Sequence, residues 1–296
     1  MDKDWEKYLP PTTCAALGLA LTLGAAWVCL GLDRGAAADG VCVACLLALL
    51  AGQVIQGGQT RAQAQEDAIL FLRSRGVELD AGIIPQAIDL PPQTMERDLE
   101  GEERAAAALL RGPVTAESRG GEVYRYYNDQ GSVQFHSDGT VSAQLDPQSF
   151  PLGGDREAGC LALMDQMGFA GVILESAGEE LVFRQTWQGR PLFTQQVTLV
   201  CQGGGLASIT AGRQLVGHPQ EDPGRQTISV ATALIDFLNG VNALGDVCNR
   251  IDGIEPGYVT SASLSGPTAL TPVWRVTTDT GAYQLDMVTG GVTRVS

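Results

Sequence analysis

Lysine is nearly missing from this chain: of 19 basic side chains only Lys3 and Lys7 are lysine. From Asp39 onward 30 Asp and Glu (34 in all, less Asp2, Asp4, Glu6 and Asp33) face 16 Arg (19 basic residues, less Lys3, Lys7 and Arg34). A surface so weighted repels polyanions, so no nucleic acid is expected as a partner. Histidine is scarcer still, with His136 and His218 the only neutral-pH bases. His136 lies on an expected strand beside a Ser-Asp-Gly turn and His218 precedes Pro219, so both read as solvated or turn-stabilising, and no catalytic residue and no enzyme activity are expected. No cofactor signature or metal-ligand spacing is present either. Charged residues make up only 18% of the chain against 44% hydrophobic, which excludes a disordered polypeptide and allows a buried core.

The apolar residues are concentrated at the N-terminus. From Thr12 to Leu32 there is no charge, and at 1.5 Å per residue that run is about 31 Å of helix, enough to cross a bilayer. Asp33 and Arg34 interrupt it, and a second apolar run spans Val41 to Ile55, extendable back to Ala36. The first run also reads as a signal segment cleaved near Ala36, Ala37 and Ala38, against which stand Asp33, Arg34 and the second run. Either way the lipid bilayer is an expected partner. Gly40, Ala44, Ala48 and Gly52 recur at every fourth position, forming a candidate membrane-helix packing face. Four of the seven cysteines, Cys14, Cys29, Cys42 and Cys45, lie in these runs, which leaves Cys160, Cys201 and Cys248 as expected buried free thiols.

Beyond the apolar runs, period and punctuation change. Ala64, Ala68, Phe71 and Leu72 share a helical face between Arg61 and Arg75, with Gly76 as the expected cap. A second helix is predicted from about Leu99 to Arg111, stopping at Gly112-Pro113. Three strands should follow, over Glu122–Tyr127, Ser132–His136 and Thr140–Leu145. The pattern restarts with a helix capped by Asp155, then strands over Gly171–Leu174, Glu180–Trp187, Leu192–Cys201 and Leu206–Ala211. A third round opens at Thr227, closes its helix at Asn239-Gly240, and continues in strands at about Tyr258–Ser263, Val273–Thr278, Tyr283–Met287 and Val292–Val295. At an offset of 86 residues Leu199 corresponds to Leu285, Cys201 to Met287, Leu206 to Val292 and Ile209 to Val295.

The expected fold class is therefore α+β: one or two N-terminal transmembrane helices, then repeated units of a helix packed on an antiparallel meander. The units expected are an N-terminal apolar segment (1–35), a transmembrane anchor (36–57), and three α+β units at 58–150, 151–225 and 226–296.

Several short phrases occur in a telling order: an apolar helix ending in Gly52-Gln53, FLRSRGVELD from Phe71, IIPQAIDLPPQTMERDLE from Ile83, GRPLF from Gly189, IEPGYV from Ile254, and YQLDMVTGGV from Tyr283. In this order the chain resembles the YycI family, membrane-anchored regulators of two-component signalling in low-GC Gram-positive bacteria and their clostridial relatives. Its C-terminal phrase is similar to the end of PepSY-like domains. The resemblance implies a cell-membrane location with the C-terminal domain extracytoplasmic. It also implies two partners, a membrane sensor histidine kinase and a YycH-like companion protein, engaged by contact rather than chemistry. The family's single anchoring helix matches Ala36 to Ile55, so Thr12 to Leu32 departs from the pattern. The alternative reading is a PepSY-type module that binds an extracytoplasmic peptide or inhibits a protease.

Three further features have simpler readings. Glu96, Asp98, Glu100, Glu102 and Glu103 surround the expected start of a helix, where carboxylates complement its dipole. Gly203 to Gly205 reads as a hairpin turn, because no helix follows. Tyr124, Tyr126 and Tyr127 sit close together on one strand, so one face of it must present tyrosine to solvent or to a partner.

Overall fold

The computed structural model describes residues 62–85, 90–210, 212–262 and 266–295. The two apolar runs, the face formed by Gly40, Ala44, Ala48 and Gly52, and the four cysteines near it lie outside the described residues. Among the described residues no helix is long and apolar enough to cross a membrane.

Phe71–Ser296 forms one compact unit; of the other, Met1–Leu70, only 62–70 is described. Helix α1 covers 62–74 and ends where glycine makes ending cheap: Gly76 has φ of 84°, and the Val77 N–H turns back to the Leu72 carbonyl at 3.0 Å. Strands β1 (Glu78–Leu79) and β2 (Gln93–Met95) follow, with a 3-10 turn at Ala81–Ile83 between them.

From there each helix is followed by four strands. Helix α2 (Leu99–Leu109) precedes β3 (Thr115–Ser118), β4 (Val123–Asn128), β5 (Gly131–His136) and β6 (Val141–Leu145). Helix α3 (Arg156–Gln166) precedes β7 (Gly171–Ala177), β8 (Glu180–Trp187), β9 (Arg190–Gln202) and β10 (Gly205–Thr210). After the short β11 (Gln220–Glu221), helix α4 (Val230–Ala243) precedes β12 (Arg250–Ser261), β13 (Thr268–Thr278), β14 (Ala282–Asp286) and β15 (Val292–Val295). Each helix starts on a side chain that accepts an orphan amide: Asp98 from Gly101, Asp155 from Ala158 and Ser229 from Thr232. Each set of four pairs antiparallel in chain order.

The sets join edge to edge. Ser208 and Ile209 of β10 pair antiparallel with Gln144 and Ala143 of β6, giving the order β3-β4-β5-β6-β10-β9-β8-β7, in which the second set runs back in the reverse order of the first. Helices α2 and α3 contact each other, and their apolar faces share one core. Ala106, Leu109, Cys160 and Met164 meet Val133, Phe135, Leu181, Phe183, Leu199 and Ile209 there. Each fully buried large side chain contributes roughly 1.5 to 3 kcal/mol by leaving water. The third set attaches through β9, whose Leu192 pairs in parallel with Tyr258 of β12 while its C-terminal half stays with β10. The chain is thus α+β, with four helices and one large, mostly antiparallel sheet among the described residues; β1–β12 and β9–β12 are the parallel pairings.

Four expectations change. Strand β3 was not foreseen, because three of its four residues are exposed and no apolar alternation marks it. Strand β12 begins at Arg250, well before Tyr258, and runs through Pro256, which lies opposite Trp274; proline argues against a strand but is tolerated where little pairing is asked of it. Helix α4 passes through Asn239 and Gly240 to Ala243, and the cap glycine is Gly245, with φ of 79°. Nor does the 86-residue offset hold strand register: Leu206 pairs with Cys201, five positions back, whereas Val292 pairs with Leu285, seven back. The last hairpin loop is two residues longer.

Candidate functional site

The residues singled out for chemistry are scattered. His136 ends β5 beside the Ser137-Asp138-Gly139 turn, and its amide donates to the Thr140 carbonyl at 2.9 Å. His218 lies elsewhere, its ring centroid 6.2 Å from that of Trp187. Cys160 and Cys201 come together, sulfur to sulfur at 3.8 Å, between α3 and β9, and Cys248 is buried apart from them. Burial pushes the Cys160 thiol up to about 12 and Cys248 to about 11, and raises Cys201 as well, so none is a ready nucleophile. Among the described residues no group of three His, Cys, Asp or Glu could hold a metal ion.

The acidic cluster divides by depth. Asp98 caps α2, accepting from the Gly101 amide at 2.8 Å. Glu102 is instead buried and gripped by Arg97 through two bonds, Nε to Oε1 at 2.7 Å and Nη2 to Oε2 at 3.0 Å. Arg97 also donates to the Glu122 and Phe135 carbonyls and lies over the Tyr124 ring, so one guanidinium ties α2 to β4 and β5. Burial raises the Glu102 pKa above 4.5 although Arg97 opposes it. Of the three tyrosines, Tyr126 is in the core, its pKa pushed up to about 12 by burial and then by Glu102 and Glu103. Tyr127 is exposed with Arg125 stacked on it, which answers the question of which tyrosine faces solvent. Gly203 and Gly204, with φ of 58° and 81°, make the β9–β10 hairpin turn as expected.

Beside the Arg97–Glu102 pair lies a polar cavity of about 40 Å³ lined by His136, Asp138, Gln195, Gln214, Thr260 and Thr268. The Gln195 Oε1 and both amide polar atoms of Gln214 are buried there without a partner among the described residues. The space suits a few water molecules, each of which needs polar neighbours of this kind. Residues of all three strand sets line it, His136 from the first, Gln195 from the second, and Thr260 and Thr268 from the third. The neighbouring Gln185 is dry and satisfied, exchanging two bonds with the Leu215 backbone at 2.9 and 2.8 Å. Glutamine pairs like these carry no sequence motif, so they were not foreseen.

The feature suited to recognition is an edge. Among the described residues strand β7 pairs only with β8, which leaves its other side open. Ile173 packs towards the core, while Val172 and Leu174 stand 42% and 45% exposed. Strand alternation produces this: inward Ile173 forces its neighbours outward. Glu175, Glu179 and Glu180 flank them on the same hairpin. Apolar side chains on an open edge invite strand addition, and the carboxylates select against an acidic visitor.

No protein-family model matches the chain, and no curated protein matches it. Among solved structures it is similar to an uncharacterised protein from Eubacterium rectale ATCC 33656, at 12% identity and a TM-score of 0.38, over 71% of this chain and 86% of that one. It is also similar to the C-terminal domain of YpeB from Bacillus megaterium, at 14% identity and a TM-score of 0.36, over 68% of this chain and 99% of that one. Both are distant likenesses at the level of fold.

Proposed function

We propose that this chain is a membrane-anchored, non-enzymatic regulator of the YycI kind, built from repeated helix-and-meander units and acting by contact on a sensor histidine kinase together with a YycH-like companion. The N-terminal apolar runs supply the anchor, and the extracytoplasmic domain supplies the contact surface. The carrying observation is β7, a seven-residue edge strand whose outward Val172 and Leu174 are exposed beside glutamates. Its occupant is an extended, basic segment of the kinase's extracytoplasmic region, added as a further strand: main-chain hydrogen bonds give affinity, and alternate side chains give register.

The test is a membrane two-hybrid assay between the full chain and the sensor kinase encoded beside it. Leu174→Lys places like-charge repulsion against a basic strand, and a desolvation cost, on the edge without touching the core. Loss of signal at unchanged expression supports the reading, and an undiminished signal rejects this edge as the contact. A metalloprotease gene in the kinase's place would shift the reading to the PepSY-type inhibitory module.

A further inference from the structure

Two guanidinium groups converge on one aromatic ring on the sheet. Arg184 of β8 and Arg275 of β13 place their central carbons 5.5 and 4.2 Å from the centroid of Phe193, a β9 side chain only 4% exposed. Gly257 of β12 makes the room: a Cβ there would lie 2.7 Å from the Phe193 ring. Stacking spends the faces of the guanidinium planes and leaves the N–H edges for acceptors.

The acceptors run short. One carboxylate serves both cations: Glu255 lies 3.3 Å from Arg184 and is Arg275's cross-strand neighbour, with Gln284 on the other flank. Glu255 is itself 49% exposed. The Nε atoms of Arg184 and Arg275 are both buried with no hydrogen-bond partner among the described residues. Burial and the charge of Arg184 both act against the Arg275 cation, and Glu255 only partly offsets them. Among the described residues eight arginines reach a carboxylate within 4 Å; here two cations share one, and their Nε donors are out of water.

We propose that Arg184 and Arg275, stacked on Phe193, form a binding site for one oxyanion, a carboxylate or a phosphate, held by guanidinium N–H groups of which the two Nε have no acceptor among the described residues. The fork of a guanidinium matches either anion through paired N–H···O bonds. Because Arg184 and Arg275 belong to different four-strand sets, the anion also bridges the second and third sets. Arg184 stands directly across from Val172 of β7, but the site is read by its response to anions and does not rest on the proposed function.

The test uses the full chain in non-ionic detergent, unfolded thermally at constant ionic strength while inorganic phosphate or acetate replaces chloride. A saturable rise of the unfolding midpoint with either anion is expected. Phosphate alone assigns the site to phosphate groups, and acetate alone assigns it to acidic side chains or chain termini. Arg275→Gln should weaken the response at least about tenfold, the loss expected for a charged hydrogen-bonding partner. Arg184→Lys, which keeps the charge but loses the fork, carries the comparison if Arg275→Gln does not fold. No saturable response to either anion, or the same response in wild type and in these variants, overturns the proposal.

Discussion

Val292 of the terminal strand β15 sits directly on Gly240 of helix α4, so closely that a Cβ added to Gly240 would lie 2.5 Å from the Val292 Cβ. Gly240 is therefore an approach point between helix and strand, not a terminator. In an exposed helix Gly→Ala gains about 1 kcal/mol. Here Gly240→Ala should destabilise, because the new methyl would meet the Val292 Cβ, which rotation about χ1 does not move away. Adding Val292→Ala should restore much of the loss. Thermal or denaturant unfolding of both variants checks this, and a stabilised Gly240→Ala protein would refute the packing.

That glycine also shows where sequence reading succeeds and stops. The three helices capped by Asp98, Asp155 and Ser229 and most strands were legible, because an apolar face repeats with the period of its element. Asn239-Gly240 was misread as an end because sequence cannot distinguish a glycine needed for φ from one needed for space. The β6–β10 junction was invisible for a related reason: Ala143 and Ile209 read as ordinary inward positions, and nothing local says which edges meet. The exposure of Val172 and Leu174 and the unsatisfied Nε of Arg275 among the described residues are properties of the assembled sheet, so their significance had no motif to carry it.

Thiol labelling follows from burial. Cys160, Cys201 and Cys248 are buried with raised pKa values, Cys160 to about 12 and Cys248 to about 11. Native protein treated with an alkylating reagent at pH 8 and mapped by mass spectrometry should show all three unmodified, and all three should react after unfolding. Native labelling of Cys160 would contradict its place in the core.

The Arg97–Glu102 pair sets a pH dependence. Glu102 has a folded pKa raised above 4.5, so the folded protein holds that proton more tightly than the unfolded chain does. Its contribution is full below about 4.5 and is lost as pH rises through the folded value. Relative to wild type, Glu102→Gln should therefore gain stability as pH rises from 4 towards 7. The opposite trend would mean that Arg97's attraction outweighs burial. Arg97→Ala, which strands Glu102 in the core, should cost about 3 to 5 kcal/mol at neutral pH.

Geography is tested by proteolysis. If the domain from Phe71 onward is extracytoplasmic, protease added to intact protoplasts should degrade it. Protection until the membrane is permeabilised would place it in the cytoplasm and remove the geometry that the regulatory proposal requires.

The central claim is that the exposed edge of β7 receives a strand of the sensor kinase. A photo-crosslinking amino acid at Leu174, 45% exposed, in the full chain in living cells measures it most directly. The account predicts a light-dependent adduct whose cross-linked peptide maps to the kinase's extracytoplasmic region, with none from the same residue placed at Ala116 on the opposite edge strand β3. Adducts to the kinase from Ala116 and not from Leu174, or none from either position, would contradict it.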